Sequence, residues 1–110
     1  MPRVLVSFEP TPKPRFNFVP DSVTMRGPGT IVLDQDPADP AAKWLFQDAF
    51  VKDDPTGQFS SELHDQKKSL HIRDEFHDKE KKSHSYRITV TQDGSTFTSP
   101  DPVIVNDPGR

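Results

Sequence analysis

Twelve prolines in 110 residues divide this chain into short segments. A proline has no amide hydrogen and clashes with the preceding helical turn, so long helices are excluded. Between the prolines, apolar residues alternate with polar ones, as Val4, Val6 and Phe8 do. This alternation is typical of half-buried strands. Proline and glycine between short strands indicate an all-β sandwich or barrel, and we expect a single-domain antiparallel β-sandwich of about seven short strands over residues 1–110.

Charge and composition exclude several classes of function. The formal net charge is -3, so nucleic acid is not an expected partner, because phosphate binding requires a basic surface. No run approaches the roughly 18 apolar residues that span a bilayer, so no membrane partner is expected either. The chain has no cysteine, which excludes disulfides and thiol chemistry. The apolar run at Val4 is too short for a signal peptide, and the expected location is cytoplasmic.

The four histidines do not form a recognisable metal motif. His64, His71, His77 and His84 lack close ligand spacing, such as the i, i+4 pair of a helical zinc site. Strand alternation also directs His71 away from His84. Gly27-Pro28-Gly29 is no phosphate loop, because no helix follows it. We therefore expect no cofactor and no metal, and a metal-binding sandwich is the weakest of the alternatives.

The most specific signal lies in a predicted hairpin near the C-terminus. Asp93-Gly94 is the strongest short turn signal of the chain and favours a two-residue turn with both residues at positive φ. Such a turn places Val90 opposite Phe97 and, further along, Tyr86 opposite Asp101. Since Val90 and Phe97 must face the core, Tyr86 and Asp101 are predicted to share that buried face.

A second predicted pairing brings further polar residues to the same face. Aligning the apolar residues of the preceding strand with those of the hairpin places Ile72 opposite Ile88. By strict alternation, ionisable side chains then point inward together with these isoleucines. They are Asp74, Lys82, His84, Tyr86 and Asp101. Burying charge costs several kcal/mol per ion unless the charge is paired, so this cluster is a candidate functional site.

The Asp101-Pro102 bond has an intrinsic chemistry of its own. The aspartate side chain can attack its own main-chain carbonyl and close a five-membered anhydride, with the tertiary proline nitrogen as leaving group. In this hypothesis Asp74 is the acid/base, and Tyr86 and His84 supply orientation and hydrogen bonds. Water would complete a cleavage, whereas the amine of Lys82 would capture the activated aspartate as an isopeptide.

The segment 98–106, after an aromatic strand and a tight hairpin, resembles the DP-EP family, whose name stands for Asp-Pro endopeptidase. The resemblance implies a β-sandwich that cuts itself at a C-terminal Asp-Pro bond and can join the freed aspartate to a lysine. On this sequence it implies Asp101-Pro102 as the scissile pair. The lysine would be Lys82 by parity, with Lys81 as the fallback. A shift of one residue would put Ser83 there, leaving cleavage but removing the cross-link.

The leading hypothesis is therefore a self-cleaving aspartic-type endopeptidase, whose substrate is its own C-terminal segment and whose cleaved strand is 102–110. Self-assembly through a sheet edge exposed by movement of that strand is a further expectation. The alternative is a non-catalytic β-sandwich interaction or assembly module. In that alternative Asp101-Pro102 only forms a turn at the start of a strand.

Overall fold

The computed structural model describes residues 2–38 and 42–109, and this part of the chain forms ten strands and no helix. The strands are β1 Arg3–Glu9, β2 Arg15–Val19, β3 Ser22–Met25, β4 Gly29–Gln35, β5 Leu45–Val51, β6 Phe59–His64, β7 Ser69–Asp74, β8 Lys82–Gln92, β9 Ser95–Thr98 and β10 Val103–Asn106. The predicted all-β sandwich is confirmed, with ten strands rather than about seven. The number is larger partly because residues 96–106 form parts of two strands, β9 and β10, separated by a bend.

Two five-stranded sheets make the sandwich. One has the order β2-β1-β4-β7-β6, and the other has the order β3-β10-β8-β5, with β9 pairing to β8. β1 runs parallel to β4, and β10 runs parallel to β3, whereas the other pairings are antiparallel. Both sheets are therefore mixed rather than purely antiparallel. No helix in the described residues is long or apolar enough to cross a membrane.

The core lies between the two sheets. Trp44, which the sequence indicates as a core anchor, is 1% exposed, and its ring packs edge-on against Phe46 at 4.9 Å. Alternating residues of the inner strands complete the core: Val4, Val6, Phe8, Ile31, Leu33, Leu70, Ile72, Tyr86, Ile88, Val90 and Ile104. The alternation of buried and exposed residues along β1, β7 and β8 is the pattern that the sequence shows.

The predicted hairpin is confirmed at its tip. Val90 pairs with Phe97, and Asp93 and Gly94 have φ values of 53° and 79°. Positive φ at both positions is the requirement of a type I′ turn, and the turn fixes the register of β8 and β9.

The predicted pairing of β7 with β8 is wrong. β7 lies in the other sheet, where Ile72 is opposite Ile31 of β4 and Ser61 of β6. Ile72 and Ile88 are nevertheless both buried, as predicted. Alternation determines which face of a strand is buried, but two strands whose buried faces meet across a sandwich show the same pattern as two paired neighbours.

Candidate functional site

The chain leaves regular pairing between β9 and β10, at Asp101-Pro102. The backbone amide of Ser99 donates to the carbonyl of Ile88 at 2.9 Å. In return, the amide of Ile88 donates to the hydroxyl of Ser99 at 2.9 Å, and that hydroxyl donates to the carbonyl of Pro100 at 2.8 Å. The Ser99 side chain thus takes a hydrogen bond that a carbonyl would accept in a regular ladder, and the chain turns away from β8 here.

The bend inserts one residue opposite β8. Thr98 pairs with Thr89, and Val103 pairs with Ser85, so the chain from β9 to β10 has one residue more than the facing part of β8. A bulge of one residue reverses the face of every residue after it. Ile104 is therefore fully buried, whereas Val103, which the predicted hairpin register places opposite His84 and facing the core, is only half-buried.

The same bulge turns Asp101 outward. Its side chain is 40% exposed, so the prediction that Asp101 shares the interior with Tyr86 is wrong. Tyr86 itself is buried as predicted, and its ring meets Phe18 edge-on at 6.3 Å. Tyr86 contacts the candidate scissile region through its backbone, because the amide of Tyr86 donates to the carbonyl of Pro102 at 2.9 Å.

A lysine does meet Asp101, and it is Lys52. The amide of Lys52, directly after β5, donates to the carbonyl of Ser85 at 2.8 Å, which holds Lys52 on the edge of β8 opposite β10. From there Nζ of Lys52 reaches to 2.7 Å from Oδ2 of Asp101. Sequence reasoning missed this residue because residues 52–58 read as a loop, for which alternation predicts no orientation.

Neither lysine assigned from the sequence occupies this position. Lys81 and Lys82 are exposed, so the inward placement of Lys82 is wrong. The buried part of β8 begins only at His84, because Lys82 lies at the open end of the sandwich. Ser83, paired with Val105, lines the same groove as Asp101.

The groove beside the Asp-Pro linkage has a volume of about 570 Å³. Phe16, Phe18, Asp21 and Ser83 line it together with Asp101 and Pro102. The backbone carbonyl of Asp21 accepts the amide of Val103 at 3.0 Å, so the peptide group between Pro102 and Val103 is bonded to Tyr86 on one side and to Asp21 on the other. Asp21 is a second carboxyl in this groove that strand parity did not indicate, because it precedes β3 in a turn.

Asp74 and His84 are brought together elsewhere, in what we call the polar cluster: Gln58, Asp74, Asp78, His84 and Asn106. Nδ2 of Asn106 lies 3.2 Å from Oδ1 of Asp74, 3.0 Å from Oδ2 of Asp78 and 3.3 Å from Oε1 of Gln58. Nε2 of His84 lies 2.6 Å from Oδ2 of Asp78. Asp74 and His84 come from opposite sheets and meet at one end of the core.

Burial sets the electrostatics of this cluster. Desolvation raises the pKa of Asp74, although hydrogen bonds from the amide of Phe76 and from Asn106 oppose the effect. Burial would also raise the pKa of Asp78, but hydrogen bonds from His84 and Asn106 outweigh it and lower that pKa below its ordinary value. Oδ2 of Asp74, Nδ1 of His84 and Oδ1 of Asn106 are buried and have no hydrogen-bond partner within residues 2–38 and 42–109.

The polar cluster and the Asp-Pro linkage are separate sites. A strand rises about 3.3 Å per residue, which puts Asn106 roughly 13 Å from Pro102 along β10. Asp101 therefore meets Lys52 and the groove, whereas Asp74 and His84 meet Asp78 and Asn106. The predicted single cluster is divided into two, because the bulge turns Asp101 outward and because β7 lies in the other sheet rather than beside β8.

The histidines give no metal site in the described part of the chain, where no group of three or more histidine, cysteine or acidic side chains is arranged to hold an ion. His64 and His71 stack with ring centroids 3.8 Å apart, and His64 contacts Glu62 at 3.6 Å. His84 is engaged with Asp78.

The fold and the site define a small β-sandwich protein with an Asp-Pro bond in a bend, held beside a lysine amine. The model of the DP-EP family matches residues 2–108, and the chain therefore belongs to the DP-EP family. No curated protein matches the chain significantly.

Proposed function

We propose that this protein is a self-cleaving aspartic-type endopeptidase that cuts its own Asp101-Pro102 bond and can join Asp101 to Lys52 as an isopeptide. The observation that carries the proposal is the 2.7 Å contact between Nζ of Lys52 and Oδ2 of Asp101. Membership of a family whose name denotes an Asp-Pro endopeptidase supports the same class of reaction.

The environment of Asp101 differs from that of the other Asp-Pro aspartates. Asp36 accepts the amide of Ala38, and Asp54 caps the amides of residues 58 and 59. Asp107 pairs with Arg26 at 2.9 Å. Asp39-Pro40 lies outside the described residues. Among the four described Asp-Pro sites, Asp101 is the one whose carboxylate meets a lysine amine, and only an amine can capture an acyl group as a stable amide.

The first step forms the anhydride. The Asp101 carboxylate oxygen attacks the main-chain carbonyl carbon of the same residue, and the bond from that carbon to the nitrogen of Pro102 breaks. The departing nitrogen needs a proton, which the ammonium group of Lys52 supplies as general acid. The products are an Asp101 anhydride, a secondary amine at Pro102 and a neutral amine on Lys52. Charge and protons balance without a cofactor.

The anhydride then has two fates. The neutral Nζ of Lys52 attacks one anhydride carbonyl, which forms an amide, opens the ring to a carboxylate and releases a proton. Alternatively, water attacks, with the Asp21 carboxylate accepting one proton, and the ring opens to a carboxylate and a carboxylic acid, which loses its proton to solvent. The first product is one water lighter than the second. In both, residues 102–110 become a separate peptide, and the protein's own C-terminal segment is the substrate.

The backbone fixes the departing side of the Asp101-Pro102 linkage. Pro102 is buried, and its carbonyl accepts the amide of Tyr86. The next amide, of Val103, donates to Asp21. Holding reacting groups in place can contribute about 7–11 kcal/mol to lowering a barrier when the geometry is close to that of attack.

Mass spectrometry of the purified chain during long incubation tests the proposal. We expect a peptide of residues 102–110 and two forms of the remaining chain, which differ by one water. Asp101→Ala must abolish both. Asp36→Ala is the matched control, because it removes the carboxylate of another Asp-Pro bond, one that only caps the amide of Ala38, and should leave cleavage at Asp101 intact. A parent chain that stays whole and unmodified would instead support the non-catalytic interaction module.

A further inference from the structure

β10 is an interior strand. It pairs with β3 on one side and with β8 on the other, and Ile104 and Asn106 are fully buried. At its end, the amide of Asp107 donates to the carbonyl of Met25 at 2.8 Å, and the Asp107 carboxylate pairs with Arg26. Apolar packing at Ile104 is ordinary for such a strand. A buried asparagine two residues later is not, because an amide needs partners for all its polar atoms.

Among the described residues, the polar cluster supplies acceptors for the side-chain nitrogen of Asn106 but no donor for its oxygen. Three acceptors, on Gln58, Asp74 and Asp78, face the side-chain nitrogen of Asn106, which has only two hydrogens to donate. A carboxylate in place of Asn106 would be repelled by the carboxylates of Asp74 and Asp78. An aliphatic side chain would remove the hydrogen-bond donor that the three acceptors share. The pocket is therefore matched to a side-chain amide.

The cluster is a poor device for general stability. Oδ2 of Asp74, Nδ1 of His84 and Oδ1 of Asn106 are buried without partners in the part of the chain that the structure describes, and each such atom carries a desolvation cost. A fully apolar end of the core would avoid that cost. Buried polar groups that are kept in spite of it are best explained by the specificity they give to one strand in one register.

We propose that the polar cluster is a peptide-binding site that holds residues 102–110 in the sandwich, with Asn106 as the recognised side chain. Its ligand class is an extended peptide with an aliphatic residue at position 104, an amide at 106 and a carboxylate at 107. The inference rests on the proposed function, since only cleavage at Asp101 turns this strand into a separate peptide. The cluster then retains the strand after the covalent link is lost.

Hydrogen exchange in an intact chain tests the site without requiring cleavage. In an Asp101→Ala background, we expect Asn106→Ala to speed exchange of the amides of Val103 and Asp107 by about ten- to a hundredfold relative to that of Ile31 in the other sheet. Asn17→Ala makes the same chemical change at an exposed position of β2 and should leave the exchange rates of Val103 and Asp107 unchanged.

A second variant keeps the test decisive if Asn106→Ala does not fold. Asp78→Asn keeps the size of the side chain but removes the charge that Asn106 and His84 bind, and it should also speed exchange in β10 selectively. Hydrogen exchange that is accelerated equally at Ile31 and Val103 would overturn the proposed site. Exchange that is not accelerated in either variant would overturn it too.

The parent chain provides the second measurement. If Asp101-Pro102 is cut, size-exclusion chromatography followed by mass spectrometry should recover residues 102–110 together with the larger fragment, and Asn106→Ala should release them. Release from the parent at the same rate as from Asn106→Ala would contradict retention by the cluster. If no variant is cut, the proposed cleavage fails, while the exchange result still decides whether the cluster holds β10.

Discussion

Nζ of Lys52 lies 2.7 Å from Oδ2 of Asp101, although 49 positions separate the two residues in the sequence. β8 lies between them, and its residue Ser85 is bonded to Lys52 on one side and paired with Val103 on the other. Both side chains are 40% exposed. Exposed ion pairs contribute about 0–1 kcal/mol, so this contact does little for stability. Its value lies in holding an amine against the carboxylate next to Pro102.

Replacing Lys52 with arginine separates the two fates of the anhydride. Arginine keeps the positive charge, but it forms no stable amide and releases no proton, since its guanidinium stays protonated. We expect Lys52→Arg to remove the lighter, cross-linked form and to slow cleavage by about 10²-fold or more. Mass spectrometry over time measures both. Lys82→Arg is the control, since Lys82 is exposed on another strand. A cross-link that persists in Lys52→Arg would assign the capture to a different amine.

Ser99 is expected to maintain the bend. Its hydroxyl accepts the amide of Ile88 and donates to the carbonyl of Pro100. Ser99→Ala would leave the buried amide of Ile88 unpaired, at a cost of about 1–3 kcal/mol in the free energy of unfolding. Ser99→Thr, which keeps the hydroxyl, should cost less. Urea unfolding measures the difference, with Ser95→Ala on the exposed part of β9 as the control. Equal stability of Ser99→Ala and Ser95→Ala would rule out this role of the hydroxyl.

The buried faces of the strands could be predicted from sequence, because alternation is a local property. Asp74, His84 and Tyr86 are buried as their parity predicts. The partners of the strands could not be predicted in the same way. β7 shows the same alternation whether it pairs with β8 or packs against it across the core, and only the assembled sandwich distinguishes the two.

The candidate site was harder to predict than the fold because a single hydrogen bond at Ser99 determines which way the Asp101 side chain faces. Strict alternation counted from Phe97 predicts that the Asp101 side chain faces the core, but the bulge at Ser99 reverses the alternation. A serine side chain that replaces a backbone acceptor leaves no signal in the hydrophobic pattern. Lys52 and Asp21 were missed for a related reason, since both follow or precede strands in turns, where side-chain direction depends on contacts distant in sequence.

Tyr86 should resist ionisation. Burial raises the pKa of its hydroxyl well above the ordinary value, because the phenolate would lose its hydration inside the core. The chain has one tyrosine, so its absorbance change in an alkaline titration reports this group alone. We expect no ionisation at the pH where a free tyrosine titrates, and then a change that coincides with unfolding. Ionisation near pH 10 with the fold intact would show that solvent reaches the hydroxyl.

The two aspartates of the polar cluster should affect stability with opposite dependence on pH. The pKa of Asp74 is raised, mainly by burial, so its charged form is disfavoured in the folded chain. Asp74 therefore reduces stability above its folded pKa, and stability returns as the pH falls toward the ordinary value of 3.8. The pKa of Asp78 is lowered by its hydrogen bonds, which outweigh burial, so its contribution is present above 3.8 and is lost as the pH falls through the folded pKa.

Asparagine substitutions separate these contributions. Asp74→Asn keeps an oxygen that can accept the bonds from Phe76 and Asn106 but removes the buried charge. We expect its free energy of unfolding to exceed that of the parent at neutral pH and the difference to vanish toward pH 3.8. Asp78→Asn should instead lower stability at neutral pH by about 1–3 kcal/mol, because it loses the charged partner of His84. Urea unfolding from pH 3 to pH 8 measures both differences. If Asp74→Asn were destabilising by the same amount throughout that range, Asp74 would act through packing or its hydrogen bonds, and its burial would not disfavour the charge.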